Sequence, residues 1–208
     1  MKLYTTFTPS HRQMYDEYFL PTLSGSDNFE LISVEIPQEC TTGKFYEEGW
    51  SLTCFRKVEL FVDACRQNMG EIFVYSDVDI QFFGPIKDVL IEELGEYDMA
   101  VQNDTAHYYC SGFFICRANE RTLAMFEAMR DNYQSEDQTT LNRHIHLCRS
   151  KFLSKRFFTI AHLTGTVWDG SELPIPSDIL MHHANWTSGV DNKIKMMEMV
   201  KKKINSYG

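Results

Sequence analysis

Residues 71–83, Glu71-Ile-Phe-Val-Tyr-Ser-Asp-Val-Asp-Ile-Gln-Phe-Phe83, decide the fold class of this chain. An apolar run from Ile72 to Tyr75 breaks at Ser76 and delivers two carboxylates, Asp77 and Asp79, one residue apart. Four mainly β-branched or aromatic residues in a row read as a strand buried on both faces, as in a parallel sheet. Ligands of open α/β sheets collect at the carboxyl ends of such strands. Two acidic side chains at that edge repel each other and lose solvation, so a cation belongs between them. Hard divalent ions take oxygen ligands, and magnesium or manganese keeps room for the phosphates of a substrate. The pattern predicts a metal–diphosphate site, with one Asp directly on the metal and the other acting through water or the sugar.

Outward from this strand the chain alternates. Lys2–Phe7 predicts a first strand, closed by Thr8-Pro9-Ser10, and His11–Leu20 a helix with Ser10 as N-cap. Phe29–Ile36 predicts a second strand and residues 38–50 a polar loop. A long amphipathic helix starts at Ser51, with Leu52, Phe55, Val58, Leu60, Phe61, Val62 and Cys65 on its apolar face and Gly70 as C-cap. After the acidic strand, Pro85 opens a helix running to Leu94. Strands follow at Tyr97–Gln102, Phe113–Cys116 and Phe157–Ile160, with helices at Asn119–Tyr133, Asp137–Leu147 and Asn192–Ile204. This alternation predicts one α/β domain, a mixed, mainly parallel central sheet flanked by helices. The Gly-rich dinucleotide fingerprint is absent after the first strand, and no Walker-type loop occurs.

At 208 residues the chain can bury a full core without staples. Its formal charge of −9 argues against nucleic acid as a partner, and no stretch is long and apolar enough to span a membrane. An acidic protein handling an anionic nucleotide must gather a few cations locally or borrow a metal. The six cysteines contain no Cys-x-x-Cys pair and read as reduced thiols. Met1-Lys2 runs straight into Leu-Tyr-Thr-Thr-Phe, so a cytoplasmic protein is expected, or a domain with further domains beside it in a parent chain.

Further chemistry is carried by His182-His183-Ala184-Asn185-Trp186-Thr187-Ser188-Gly189 and Lys193. Either imidazole can supply a third metal ligand, Gly189 lets backbone approach a ligand, and Lys193 offers a cation for phosphate. Glu136-Asp137-Gln138 either caps a helix or turns toward sugar hydroxyls. Gln102-Asn103-Asp104 puts polar groups at another strand end, and Cys110-Ser111-Gly112 is a small-residue approach to a strand or a plain turn. Arg56 and Lys57 are solvated helix charges unless their face reaches the site. Trp168-Asp169 is an acceptor platform or a buried indole.

Val-Tyr-Ser-Asp-Val-Asp, Cys-Ser-Gly-Phe-Phe-Ile, Glu-Asp-Gln-Thr-Thr-Leu-Asn and His-Ala-Asn-Trp…Gly…Lys occur in that order over about residues 1–200. Together they resemble the nucleotide-diphosphosugar transferases of the GT-A fold, a Rossmann-like α/β architecture, particularly retaining enzymes with a C-terminal His-x-Asn segment. The likeness extends to an N-terminal glycosyltransferase domain of a multidomain chlorella-virus protein. The resemblance implies a divalent cation, manganese first and magnesium second, on Asp77, Asp79 and His183. It implies a UDP-sugar donor, a glycan or glycoside acceptor, and transfer of a hexose or deoxyhexose with retention. Lys193 and backbone near Gly189 would neutralise the leaving diphosphate. Thr5, Thr6 and Phe7 would cradle the base with Arg56 or Lys57 assisting. Asp104, Ser111, Asp137 and Gln138 would line the sugar, with Asp104, Asp137 and Gln138 at the reaction centre. Ser76, Val78, Gly112 and Asn185 complete the implied donor site.

Two rivals remain at this level. A haloacid-dehalogenase-like phosphohydrolase also uses Asp-x-Asp after a strand, but normally the first strand of its domain, whereas about 70 residues precede it here. A non-catalytic sugar-nucleotide or glycan-binding module would bind without transfer.

Overall fold

The computed structural model describes residues 1–40, 45–105 and 107–207. A six-stranded sheet runs in the order β2-β1-β3-β6-β5-β7. Its strands are β1 (Lys2–Phe7), β2 (Glu30–Glu35), β3 (Ile72–Ser76), β5 (Met99–Thr105), β6 (Tyr108–Arg117) and β7 (Ser150–Phe152). β1 pairs parallel to β2 and β3, and β5 parallel to β7. β6 lies antiparallel between β3 and β5, so the sheet is mixed and mainly parallel, as expected. A second sheet, β4-β9-β8, is built from Ile80–Phe82, Met181–His183 and Phe157–Thr159.

Burial along the central strands follows the period-2 alternation of side chains. Phe73 and Tyr75 of β3 join Val101, Phe114 and Cys116 in a core under the helices α3 (Trp50–Gln67) and α5 (Glu120–Asp131). Val74 faces the other way, with Leu3, Ala100, Phe113 and Ile115, toward Leu90 and Leu94 of α4 (Lys87–Leu94). The acidic strand is thus covered on both faces, although one neighbour is antiparallel. Tyr75 stacks on Phe114 at 5.5 Å between centroids, and Phe61 meets both rings edge-on. Truncating a ring at the centre of such a cluster costs about 3–5 kcal/mol.

Several boundaries differ from the sequence reading. Residues 9–22 form an irregular helical run, with α1 (Arg12–Met14), a π-helical turn over Tyr15–Phe19, and α2 (Leu20–Thr22). Ser10 lies inside its opening turn rather than capping it. α3 ends at Gln67 with Asn68, at φ −119°, as its C-cap, so Gly70 sits beyond the cap. Leu52 is exposed on that helix rather than buried. α4 starts at Lys87, not Pro85; the Asp27 carboxylate accepts from the Ile86 and Lys87 amides at 2.9–3.0 Å and supplies the cap. β6 starts at Tyr108, so Cys110-Ser111-Gly112 is strand and not turn. Of the polar loop expected over 38–50, residues 41–44 lie outside the described residues, and Trp50 already belongs to α3. α6 (Asp137–His144) and α7 (Val190–Asn205) complete the helices.

All six cysteines are buried, and Cys54, Cys65, Cys110, Cys116 and Cys148 are free thiols. Among the described residues no helix is long and apolar enough to cross a membrane.

Candidate active site

The acidic pair is placed by a change of sheet. The β3 ladder closes with Asp77 N–H donating to the Gly112 carbonyl at 2.7 Å. The chain then turns at Val78-Asp79 and enters β4, which pairs antiparallel with β9 in the register Ile80↔His183. Ala184 N–H donates to the Asp79 carbonyl at 2.9 Å. The end of one sheet and the edge of another therefore deliver Asp77, Asp79 and His183 to one point. One ligand atom from each lies within 4.8 Å of the others.

His183, not His182, faces this cluster. Its Nε2 lies 3.2 Å from Asp79 Oδ1, and its Nδ1–H donates to Gln102 Oε1 at 2.8 Å. Gln102 is held in turn, its amide NH2 donating to the Phe157 and Phe158 carbonyls at 3.2 and 3.3 Å. With both amide protons engaged, only its oxygen can face the ring, which leaves Nε2 aimed at the carboxylates. Burial pushes the His183 pKa down, but the Asp79 carboxylate outweighs it and pulls it up to about 10. His182 turns to the opposite face beside Gln81 and Phe158, where burial drives its pKa to about 3.

Two lysines close the cluster. Lys57 Nζ bridges Asp77 Oδ2 at 2.8 Å and Asp137 Oδ2 at 2.9 Å, and Lys193 Nζ pairs with Asp79 Oδ2. Burial would lower the Lys57 pKa, yet Asp137 and Asp77 hold it well above the ordinary value. Burial likewise works to raise Asp79, and Lys193 with His183 pulls it well below the usual carboxylate range. For Asp77, burial wins over Lys57 and its pKa rises. Tyr75 O–H donates to Asp77 Oδ1 at 2.7 Å and Ser111 O–H to Asp137 Oδ2 at 2.5 Å. Asp104 accepts three hydrogen bonds: Asn185 Nδ2 at 2.9 Å and Trp186 Nε1 at 2.8 Å donate to one oxygen, Gln138 Nε2 at 3.1 Å to the other.

The donor set fits a divalent metal: two carboxylates and an oriented imidazole, hard and borderline ligands at one point. Space is kept for them by Gly112. A Cβ there would lie 2.4 Å from His183 Cε1 and 2.7 Å from Asp77 Oδ2.

A cleft of about 680 Å³ opens over the cluster. Of the residues picked out from sequence, Thr6, Phe7, Lys57, Asp77, Val78, Asp79, Asp104, Ser111, Gly112, Asp137, Gln138, His183, Asn185 and Lys193 line it. Four do not. Thr5 is fully buried; Ser76 is buried with its hydroxyl on the Asp77 carbonyl; Gly189 caps α7 at φ 82°. Arg56 is exposed and paired with Glu59 at 2.9 Å, because successive helix positions diverge by about 100° and only Lys57 turns inward. Gln102, one of the polar groups at the end of β5, is fully buried behind His183. Trp168 lines a separate surface groove with Lys195 and Lys202. Sequence reasoning missed His11, Gln38, Phe45, Tyr46, Trp50 and Tyr108 in the cleft wall. The aromatic density of 45–50 was the signal available for three of them.

An acidic strand end, a third candidate ligand brought in from a second sheet and two inward lysines make a site suited to a cation and an anionic ligand. Residues 26–197 match the nucleotide-diphospho-sugar transferase family, and the chain belongs to it. It is a glycosyltransferase that uses a nucleotide-diphospho-sugar. The fold is similar to that of a glycosyltransferase involved in glycosylation of the major capsid of PBCV-1, with TM-score 0.62 and 12% identity over 95% of this chain and 98% of that one. It is also similar to the glycosyltransferase GlyE of Streptococcus pneumoniae TIGR4, with TM-score 0.59 and 12% identity. That match covers 99% of this chain and 62% of GlyE. At these identities the likeness establishes the fold. No curated protein matches the chain in sequence. Family membership displaces the phosphohydrolase rival, whose acidic motif belongs on a first strand.

Proposed function

We propose that this enzyme moves a hexose or deoxyhexose from UDP to a glycan acceptor, with manganese as its metal and with retention of anomeric configuration. The observation that carries the reading is the convergence of Asp77, Asp79 and His183 beside Lys193 and Lys57 at the floor of one cleft. Asp77, Asp79 and His183 would hold the metal, which when bound supplies Lewis-acid stabilisation to the departing diphosphate. Lys193 is the cation nearest that group and neutralises charge as it develops. Thr6 and Phe7, at the carboxyl end of β1, offer a surface to the base.

The donor sugar belongs between Asp137, Gln138, Ser111 and Asp104. Lys57 and Ser111 hold Asp137 ionised: burial raises its pKa, Lys57 and Ser111 lower it, and the net is below the ordinary value. Its remaining lone pairs can accept sugar hydroxyls. Asp104 is held by three donors and Asp137 by two, so neither carboxylate stands free as a nucleophile. If transfer proceeds with retention, the departing phosphate oxygen takes the acceptor's proton as its bond to the anomeric carbon breaks and the glycosidic bond forms.

Incubation with UDP-glucose, UDP-galactose and a UDP-deoxyhexose tests this. Manganese-dependent UDP release, with an axial product from an axial donor by NMR, is the expected result. An inverted product would remove the retention claim, and turnover of GDP-sugars alone would remove the uridine claim.

A further inference from the structure

The turn that precedes α3 carries an aromatic group unlike the rest of the surface. Tyr46 is 75% exposed and Phe45 43% exposed, yet both line the active-site cleft. Tyr46 packs on Trp50 at 4.8 Å between centroids, and Phe45 meets Trp50 edge-on at 6.0 Å. Tyr46 holds φ 62°, in the left-handed region that a bulky residue rarely adopts. Strain of that kind persists where surrounding structure imposes it, and it clusters at ligand-binding sites. Three residues on, Gly49 at φ 81° packs so close to Glu39 that a Cβ would fall 1.9 Å from the Glu39 carbonyl oxygen. The turn is pinned, and an aromatic ring is displayed from it to solvent.

Position identifies what the ring meets. Phe45 lies over Lys193 Nζ at 5.7 Å, at the diphosphate end of the cleft. Tyr46 lies toward Glu136, whose negative charge, with burial, raises the pKa of the phenol. Glu136 accepts from Thr139 Oγ1 at 2.5 Å, and Thr139 accepts from Tyr108 O–H at 3.1 Å. Glu136 immediately precedes Asp137 in the donor-sugar pocket. A carboxylate at this spot disfavours phosphate and favours neutral hydroxyls. An aromatic face beside hydroxyl acceptors fits a pyranose ring, whose C–H face is apolar and whose edge is polar.

We infer that Tyr46 and Trp50 form the stacking platform for the acceptor's sugar ring, with Glu136 and Tyr108 binding its hydroxyls, so that the acceptor residue is a neutral pyranose. This rests on the glycosyltransferase reading above and adds to it which part of the cleft takes the acceptor.

The test is saturation-transfer NMR with a panel of p-nitrophenyl hexopyranosides in the presence of UDP and manganese, beside calorimetry of UDP. At least one hexoside should bind, receiving saturation on one ring face. Tyr46→Ala, at an exposed position that leaves the fold intact, should weaken it about tenfold while UDP affinity stays within twofold; Tyr46→Phe should retain most of the binding. Hexoside affinity unchanged in Tyr46→Ala, or UDP weakened as much as the hexoside, would overturn the platform. If UDP binds and no hexoside does, the platform fails and the donor site stands. If UDP itself does not bind, the reading beneath fails.

Discussion

Gln102 accepts the Nδ1 proton of His183 at 2.8 Å from a position fully buried beneath the site. The contact joins the two sheets and fixes which imidazole nitrogen faces Asp79. Gln102→Leu keeps the volume and loses the anchor. Manganese affinity, read by electron paramagnetic resonance in the presence of UDP, is expected to fall 10–100-fold. Stability should drop by about 1–3 kcal/mol as the Phe157 and Phe158 carbonyls lose their donor. Unchanged metal affinity would remove Gln102 from the site.

Gly112→Ala should separate fold from function differently. The added methyl meets the His183 ring and the Asp77 carboxylate, both ligand candidates, rather than open space. A loss of about 1–3 kcal/mol in denaturant unfolding is expected from overpacking. Manganese-dependent UDP binding should vanish even where the variant remains folded.

Lys193→Ala should discriminate between phosphate and base. Charge-assisted hydrogen bonds contribute about 1.5–3 kcal/mol, so UDP should bind at least tenfold more weakly while uridine is unaffected. An equal loss for both ligands by calorimetry would sink the phosphate role.

Asp98 tests the scaffold rather than the site. Its side chain is 1% exposed and accepts from Arg121 Nε at 2.9 Å and Nη2 at 2.6 Å, Arg149 N–H at 2.9 Å and Asn119 Nδ2 at 2.9 Å. The Arg121 bonds, against burial and with help from Arg149 and Asn119, hold its pKa well below the usual carboxylate range. A depressed folded pKa stabilises above the unfolded value of about 3.9, and that stability is lost as pH falls through the folded value. Asp98→Ala should cost about 2–4 kcal/mol at neutral pH by stranding the Arg149 amide. The variant should also show a shallower loss of stability between pH 4 and pH 2 than the parent.

Much of the architecture was legible because the decisive signals are local. Ile72–Tyr75 is apolar and branched in any context, and Asp77 and Asp79 follow it in sequence. The strands β4, β7 and β9 were not legible: each is three residues long and interrupted by polar side chains, without the apolar run that marks the equally short β8. His182-His183 was legible as a motif, whereas which ring faces the metal site depends on β9 pairing with β4. Cys110-Ser111-Gly112 reads by composition as a strand approach or a plain turn; what makes position 112 a glycine is the crowding of His183 and Asp77 from other parts of the chain. Arg56 and Lys57 are indistinguishable by type, and only helix phase separates them. Gln102 follows the apolar stretch of its strand and looks like a ligand contact; tertiary packing makes it a support for one.

The central claim is that Asp77, Asp79 and His183 hold a divalent metal that brings UDP into the cleft. The most direct measurement is the thermal unfolding midpoint with UDP, with and without manganese, for the parent and for Asp79→Asn. At about 100 times the dissociation constant, binding adds roughly 2.7 kcal/mol, a rise of about 5–11 °C for a chain of this size. The account expects that rise only when manganese and UDP are both present, with none in Asp79→Asn. An equal rise without manganese, or an undiminished rise in Asp79→Asn, would contradict it.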